Sequence, residues 1–134
     1  MPVLVGLLTL PTVQDQEDLQ KIYLDAPHDL LPPYASAEDL IHDALTNETL
    51  WVGRFNDRLQ GAARLERGVA VWHLSHLCVR KPTRRRGVAE RIVSMAQKLA
   101  GEAGCELRLQ ATAGRPEVLA LAAKLSVPLD AATP

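Results

Sequence analysis

Leu77-Cys78-Val79-Arg80-Lys81-Pro82-Thr83-Arg84-Arg85-Arg86-Gly87-Val88-Ala89 is the stretch that decides the fold. It reads as the end of a strand, a basic loop and the first turn of a helix that continues toward Ala103. Five cations fall within Arg80–Arg86. Backbone N–H groups at a helix start, with the positive end of the helix dipole behind them, form an anion site. Gly87 has no Cβ, so a ligand can come close to the main chain. Arginine adds paired donors that match a phosphate edge. Arg84, Arg85, Arg86, Gly87, Val88 and Ala89 therefore read as a pyrophosphate cradle, against the plainer reading of a basic, solvated helix start. Neither Gly-Lys-Ser/Thr nor Gly-x-Gly-x-x-Gly is present here, so this is no Walker A loop and no dinucleotide turn.

Working outward, Val88, Ile92, Met95, Ala96, Leu99 and Ala103 form one apolar stripe at helical period. Gly101 and Gly104 weaken and end that helix. Cys105–Ala111 reads as a strand, parallel to the one before the loop by the βαβ rule. Pro116 opens a last helix to Leu125. Upstream, Val3–Leu8 reads as a first strand. A helix over Gln16–Leu24, capped by Thr12 or Asp15, places Leu19, Ile22 and Tyr23 on one face, and Pro27 ends it. Ser36 with Asp39 reads as a capping box for a helix through Leu45, which Asn47 closes. Leu50–Phe55, Arg58–Leu65 and Val69–Val79 form a meander. Asn56-Asp57 is its first turn and Glu66-Arg67-Gly68 its second. Trp72, Leu74 or their neighbours fill one face of the third strand. The tail after Leu125 is short and holds Pro128 and Pro134, so at most a stub of strand follows.

At 134 residues the chain is read as a single domain, 1–134. A net charge of −1 and 4% aromatic residues speak against a nucleic-acid module. Cys78 and Cys105 stand far apart with no CxxC partner, which predicts no metal site, no disulfide framework and a reducing compartment. No stretch is apolar and long enough to span a bilayer. Met1–Leu10 lacks the basic lead-in of a signal peptide. The expected location is cytoplasmic.

The spacing Arg84-x-x-Gly87-x-Ala89, with a strand before and a long helix after, resembles the signature of the Gcn5-related N-acetyltransferases (GNATs), which bind acetyl-CoA. The element order β α α β β β α β α matches theirs. The resemblance implies an α/β (α+β) GNAT fold: a mixed, mostly antiparallel sheet with helices on both faces, here with the C-terminal hairpin truncated. That leaves a sheet edge open, or covered by a partner or by a second copy in a homodimer.

Asp18-Leu19-Gln20-Lys21-Ile22, Arg54-Phe55-Asn56-Asp57-Arg58-Leu59, Cys78-Val79-Arg80 and Thr83-Arg84-Arg85-Arg86-Gly87-Val88 resemble, more narrowly, the PanZ (PanM) family, over most of residues 15–114. Members are acetyl-CoA-binding GNAT-fold proteins that bind the aspartate decarboxylase zymogen PanD and promote its self-cleavage. The resemblance implies acetyl-CoA (or CoA) against Leu77, Cys78 and Val79, with the pyrophosphate at Arg84–Ala89. It also implies a PanD-facing surface that includes Arg54 and Asn56.

Acetyl transfer needs a base for the amine and an acid for the leaving thiolate. In GNATs the acid is a Tyr on the helix after the fifth strand. Here the tyrosines are Tyr23 and Tyr34, far upstream. Glu66, His73 and His76 are the candidate bases. On a regular strand His73 and His76 would face opposite sides, so only one could reach a cleft. The functional expectation is a PanZ-type regulatory protein; the alternative is an active N-acetyltransferase for a small amine or a protein amine.

Overall fold

Asn56 and Asp57 both adopt left-handed backbone, at φ 52° and 63°. They form the tight turn between β2 (Leu50–Phe55) and β3 (Arg58–Arg67). The computed structural model describes residues 3–24, 26, 30–80, 87–111 and 116–131. The other elements are β1 (Leu4–Leu7), α1 (Val13–Leu24), α2 (Ala37–Thr46), β4 (Val71–Val79), α3 (Val88–Glu102), β5 (Glu106–Ala111), α4 (Pro116–Leu125) and β6 (Leu129–Ala131). Arg84, Arg85 and Arg86 of the expected cradle, and Pro27, lie outside the described residues.

The sheet has six strands in the order β1-β2-β3-β4-β5-β6. Pairing is antiparallel from β1 to β4 and parallel for β4–β5 and β5–β6. The crossover through α3 thus gives the expected parallel pair. β3 runs to Arg67 because Glu66 still pairs with His73 and Arg67 with Trp72. The second turn therefore falls after Arg67, two residues later than Glu66-Arg67-Gly68. Val69 is fully exposed at its tip.

Both candidate caps of α1 act. Thr12 Oγ1 accepts from the Asp15 N–H at 3.0 Å, and Asp15 Oδ2 accepts from the Thr12 N–H at 3.2 Å. This reciprocal cap moves the helix start from Gln16 back to Val13. Ser36 caps α2, accepting from the Asp39 N–H at 3.2 Å. After Leu125 the chain adds one three-residue strand, β6. It is held by the Leu109 N–H donating to the Pro128 carbonyl at 2.8 Å and by a two-pronged Arg108–Asp130 pair, 2.7 Å for each prong. Among the described residues no helix is long and apolar enough to cross a membrane.

Two cores lie on opposite faces of the sheet. On one, Val88, Ile92, Val93, Ala96 and Ala100 of α3 pack with Trp51, Leu65, Leu74 and Leu109. Val93 and Ala100 extend the expected stripe, while Met95 and Leu99 sit at its margin. α3 lies close against β2 and β3: a Cβ added to Gly61 would stand 2.8 Å from Ile92 Cδ1 and 3.0 Å from Val88 Cγ1. Trp51 Nε1–H donates to the Ile92 carbonyl at 3.0 Å and pins the same helix. On the other face Leu19, Ile22 and Tyr23 of α1 meet Leu40, Ile41, Leu50, Leu59 and Cys78.

α1 is tied to the β2–β3 hairpin by two carboxylates. Asp18 is fully buried. It accepts from Arg58 Nη2 at 2.6 Å, Arg58 Nε at 2.9 Å, the Leu59 N–H at 3.1 Å and Gln14 Nε2 at 3.0 Å. Asp15 takes Arg54 in the same fashion, at 2.9 and 3.2 Å. Burial alone would raise the Asp18 carboxyl, but the hydrogen bonds from Arg58, Gln14 and Leu59 outweigh it and hold it low. The Arg54 hydrogen bond, working against burial, lowers the Asp15 carboxyl.

Folded values below the ordinary carboxylate range mean that these groups stabilise the fold above a pH of about 4 and stop doing so as pH falls through the lowered values. Urea midpoints should therefore drop on acidification below a pH of about 4. Asp18→Asn should lose about 2–3 kcal/mol at neutral pH, since Arg58 is partly solvated, and should flatten the acid slope. Parallel urea titrations of both proteins at neutral and acid pH measure this.

Candidate functional site

β4 and β5 pair from Val71–Glu106 to Leu74–Leu109, and there their ladder ends. β4 stays paired with β3 as far as Gly61–Val79, but with a slip: Ala62 opposes Cys78 and Arg64 opposes Ser75. Ala63 alone therefore faces His76 and Leu77. His76 carries this bulge at φ 56°, a left-handed backbone sparsely used by non-glycine residues. A bulged strand bends, and beyond it β4 no longer follows β5. The divergence opens a cleft of about 270 Å³. Ser75, His76 and Leu77 form one wall, Gln110 and Ala111 of β5 the other, and Pro32 and Tyr34 from the α1–α2 connection reach across, with Arg64 beside them.

The bulge also overturns the expectation that His73 and His76 face opposite sides. That expectation assumed unbroken alternation, which the slip resets. His76 lies on the same face as Ser75 and Arg64, against Tyr34, with ring centroids 5.3 Å apart. His76 Nε2 lies 2.9 Å from the Pro32 carbonyl and Nδ1 lies 2.9 Å from Ser75 Oγ. A carbonyl only accepts, so Nε2 carries the proton. Burial, with help from the Arg64 charge, lowers the imidazole's pKa despite the opposing pull of the Pro32 carbonyl. The ring is thus neutral at neutral pH, and Nδ1 accepts from the Ser75 hydroxyl.

Glu66 and His73 lie away from the cleft walls. Glu66 is exposed and accepts from Arg64 Nη1 at 2.9 Å. His73 Nε2 stands 3.5 Å from Asp130 Oδ2, beside the Arg108 pair that anchors β6.

Of the residues expected along a pantetheine, Leu77 lines the cleft. Cys78 is buried toward α1, its Sγ 3.3 Å from the Ile22 carbonyl, and Val79 is buried under α3. Their side chains thus serve the two cores. Gly87 caps α3 at φ 77°, and among the described residues a Cβ there would meet nothing within 4 Å. Val88 is fully buried and Ala89 half-buried.

Arg54 is engaged within the chain, by Asp15 and by the Asp57 carbonyl at 3.2 Å. Asn56 is exposed at the hairpin tip. Among the described residues no cluster of His, Cys, Asp and Glu could hold a metal ion.

Sequence reasoning missed Ser75, Arg64 and the arrival of Tyr34 in the cleft. Tyr34 is far upstream in the chain, but Pro32 and Tyr34 sit where α1 leads into α2, against His76. Its hydroxyl donates to Asp43. Burial, then that hydrogen bond, push the phenol up to about 12. In the sequence only Pro32 and Pro33, which restrict the backbone before Tyr34, hint at this placement, and they name no target.

A family profile described as "Acetyltransferase (GNAT) domain, PanZ" matches residues 2–124, beyond the resemblance read up to Gly114. The PanD regulatory factor of Escherichia coli (strain K12) is 36% identical over 77 residues, 58% of this chain and 52% of that protein. The match thus spans about half the length of that relative. Ard1 from Thermoplasma volcanium superposes with a TM-score of 0.69 at 15% identity, covering 91% of this chain and 80% of that one. A Bacillus subtilis acetyltransferase in complex with CoA superposes with a TM-score of 0.68 at 15% identity, covering 93% and 76%. At these identities the two structures establish the GNAT fold.

Tyr34 should ionise near 12 rather than near the ordinary value of about 10. Asp43→Asn should bring it part of the way down, because burial remains. Ultraviolet absorbance titration of Tyr23→Phe, which leaves Tyr34 as the sole tyrosine, reads the shift.

Proposed function

The chain belongs to the PanZ family of GNAT acetyltransferase domains, and from that membership we propose that it binds acetyl-CoA in the β4–β5 cleft and, so loaded, regulates aspartate decarboxylase PanD. The observation that carries this reading is the parting of β4 and β5 after Leu74–Leu109, at the end of the sheet where α3 begins. The pyrophosphate is assigned to Arg84, Arg85 and Arg86 and to the backbone at Gly87, Val88 and Ala89. The pantetheine is assigned to the main chain of Leu77, Cys78 and Val79, entering the cleft from that end. The named E. coli relative, a PanD regulatory factor, supports the choice of partner. Arg54 and Asn56 on the β2–β3 hairpin are assigned to the partner surface.

When bound, acetyl-CoA supplies an activated acetyl thioester and a bulky anionic group. The chain's part is to hold the anion on backbone donors and to exclude water between β4 and β5. One observation favours a second reading, amine acetylation: Tyr34 and His76 meet in the same cleft. His76 Nε2 is committed to Pro32, and the Tyr34 proton to Asp43. The remaining acceptor of the ring, His76 Nδ1, is 2.9 Å from Ser75 Oγ and so serves that hydroxyl rather than an incoming amine, and the regulatory reading is preferred.

Gly87→Glu should abolish acetyl-CoA binding in calorimetry. It should cost only about 1–2 kcal/mol of stability, for left-handed backbone on a non-glycine residue, because among the described residues a Cβ there meets nothing within 4 Å. Wild-type affinity in that variant would refute the cradle. Pull-down of PanD should depend on acetyl-CoA and should weaken in Asn56→Ala. That variant is a cleaner probe than Arg54→Ala, which would also release Asp15. Capture that is indifferent to both would remove the partner assignment.

A further inference from the structure

Ser75, His76 and the Pro32 carbonyl stand in a line on the cleft wall. Ser75 Oγ lies 2.9 Å from His76 Nδ1, and His76 Nε2 lies 2.9 Å from the Pro32 carbonyl. This is the arrangement of an activated hydroxyl: a nucleophile, a base in hydrogen-bond reach and a third group that orients the base. Here a main-chain carbonyl fills the third role and sets the tautomer, leaving Nδ1 as the proton acceptor. Ser75 is 7% exposed, yet it lines the cleft. His76 keeps a left-handed backbone at φ 56° with a Cβ in place, a conformation that persists only where surrounding contacts hold it.

The position in the cleft matters as much as the pair. On the assignment above, the diphosphate sits at Gly87 and the pantetheine runs along Val79, Cys78 and Leu77. The next residues inward are His76 and Ser75, directly before the strands close at Leu74–Leu109. The thioester end therefore arrives at the Ser75 hydroxyl. Arg64, whose charge is felt at His76, lines the same wall and offers positive charge near a developing oxyanion.

We propose that Ser75 is a nucleophile, with His76 as its base, that takes an acetyl group from an acyl thioester bound in the cleft and yields it to water. Ser75 Oγ attacks the thioester carbonyl carbon as its proton passes to His76 Nδ1. The C–S bond breaks, and the departing sulfur takes that proton from Nδ1, leaving a free thiol and O-acetyl-Ser75. Water then attacks the ester with His76 Nδ1 again taking and returning the proton, which restores Ser75 and releases acetate. The net change is thioester plus water to thiol plus carboxylic acid, with no redox partner. The proposal rests on the acetyl-CoA reading for its natural donor, though the dyad itself does not.

The test uses the full chain and two donors, acetyl-CoA and p-nitrophenyl acetate, the second needing no diphosphate site. After acid quench, peptide mass spectrometry should find an acetyl group on Ser75 that hydroxylamine removes, as it removes an ester and not an acetylated lysine. Thiol release from acetyl-CoA should fall about a hundredfold or more in Ser75→Ala and in His76→Gln. Ser75→Cys, which keeps a nucleophile in place, should retain the label. Acetyl-CoA binding by calorimetry should persist in Ser75→Ala. If acetyl-CoA binds and neither release nor label depends on Ser75, the dyad is overturned while the cleft assignment stands. If acetyl-CoA fails to bind, the cleft assignment falls, and Ser75-dependent acetylation by p-nitrophenyl acetate alone decides the dyad, its absence overturning it.

Discussion

Four register pairs hold β4 to β5, and the fifth is refused because His76 and Leu77 share one partner on β3. That single slip organises the functional end of the molecule. It ends a parallel ladder in mid-sheet, bends β4 away from β5 and turns His76 toward Pro32 and Tyr34. A backbone in the left-handed region costs about 1 kcal/mol or more for a residue with a Cβ. The contacts of His76 with Ser75, Pro32 and Tyr34 offset that cost, as does the Tyr23 hydroxyl, which donates to the His76 carbonyl at 2.9 Å. The bulge and the α1–α2 connection thus hold each other.

The rest of the fold supplies a stiff frame for that opening. α3 is seated against Gly53 and Gly61, where side chains on the strands would push it out. Its first residue, Val88, is locked in the core, so packing fixes where the Gly87 cap stands. On the far face Asp15 and Asp18 clamp α1 to the hairpin that carries Asn56. The same arginine that a partner surface would use, Arg54, is also part of that clamp. The ion pair of Arg54 with Asp15 thus seats α1 on the hairpin, and α1 in turn carries Tyr23 to the bulge.

Much of this was legible in the chain itself. Ser36 and Asp39, Asn56-Asp57, the α3 stripe and Pro116 each name a local structure through chemistry that acts within a turn or two, and each element lies where that chemistry puts it. Of the candidate cleft, Leu77 and His76 were legible in the sequence. The bulge that opens it was not. Alternation along β4 predicted two histidines on opposite faces, and no residue in Val71–Val79 announces a bulge, for no glycine marks it. Distance along the chain hides Tyr34, which the connection through Pro32 and Pro33 carries into the cleft lining.

The sequence by itself determined the order of elements, their caps, the parallel crossover and the glycine that starts α3, because these depend on contacts between near neighbours and on a handedness shared by all chains. Only the tertiary structure decided where β4 leaves β5, which histidine enters the cleft, that Ser75 and Tyr34 meet it there, and that Arg54 is held by Asp15. Those outcomes come from competition for space between segments far apart in the chain. Packing on both sides of one sheet has to be satisfied at once, and no local pattern encodes that balance.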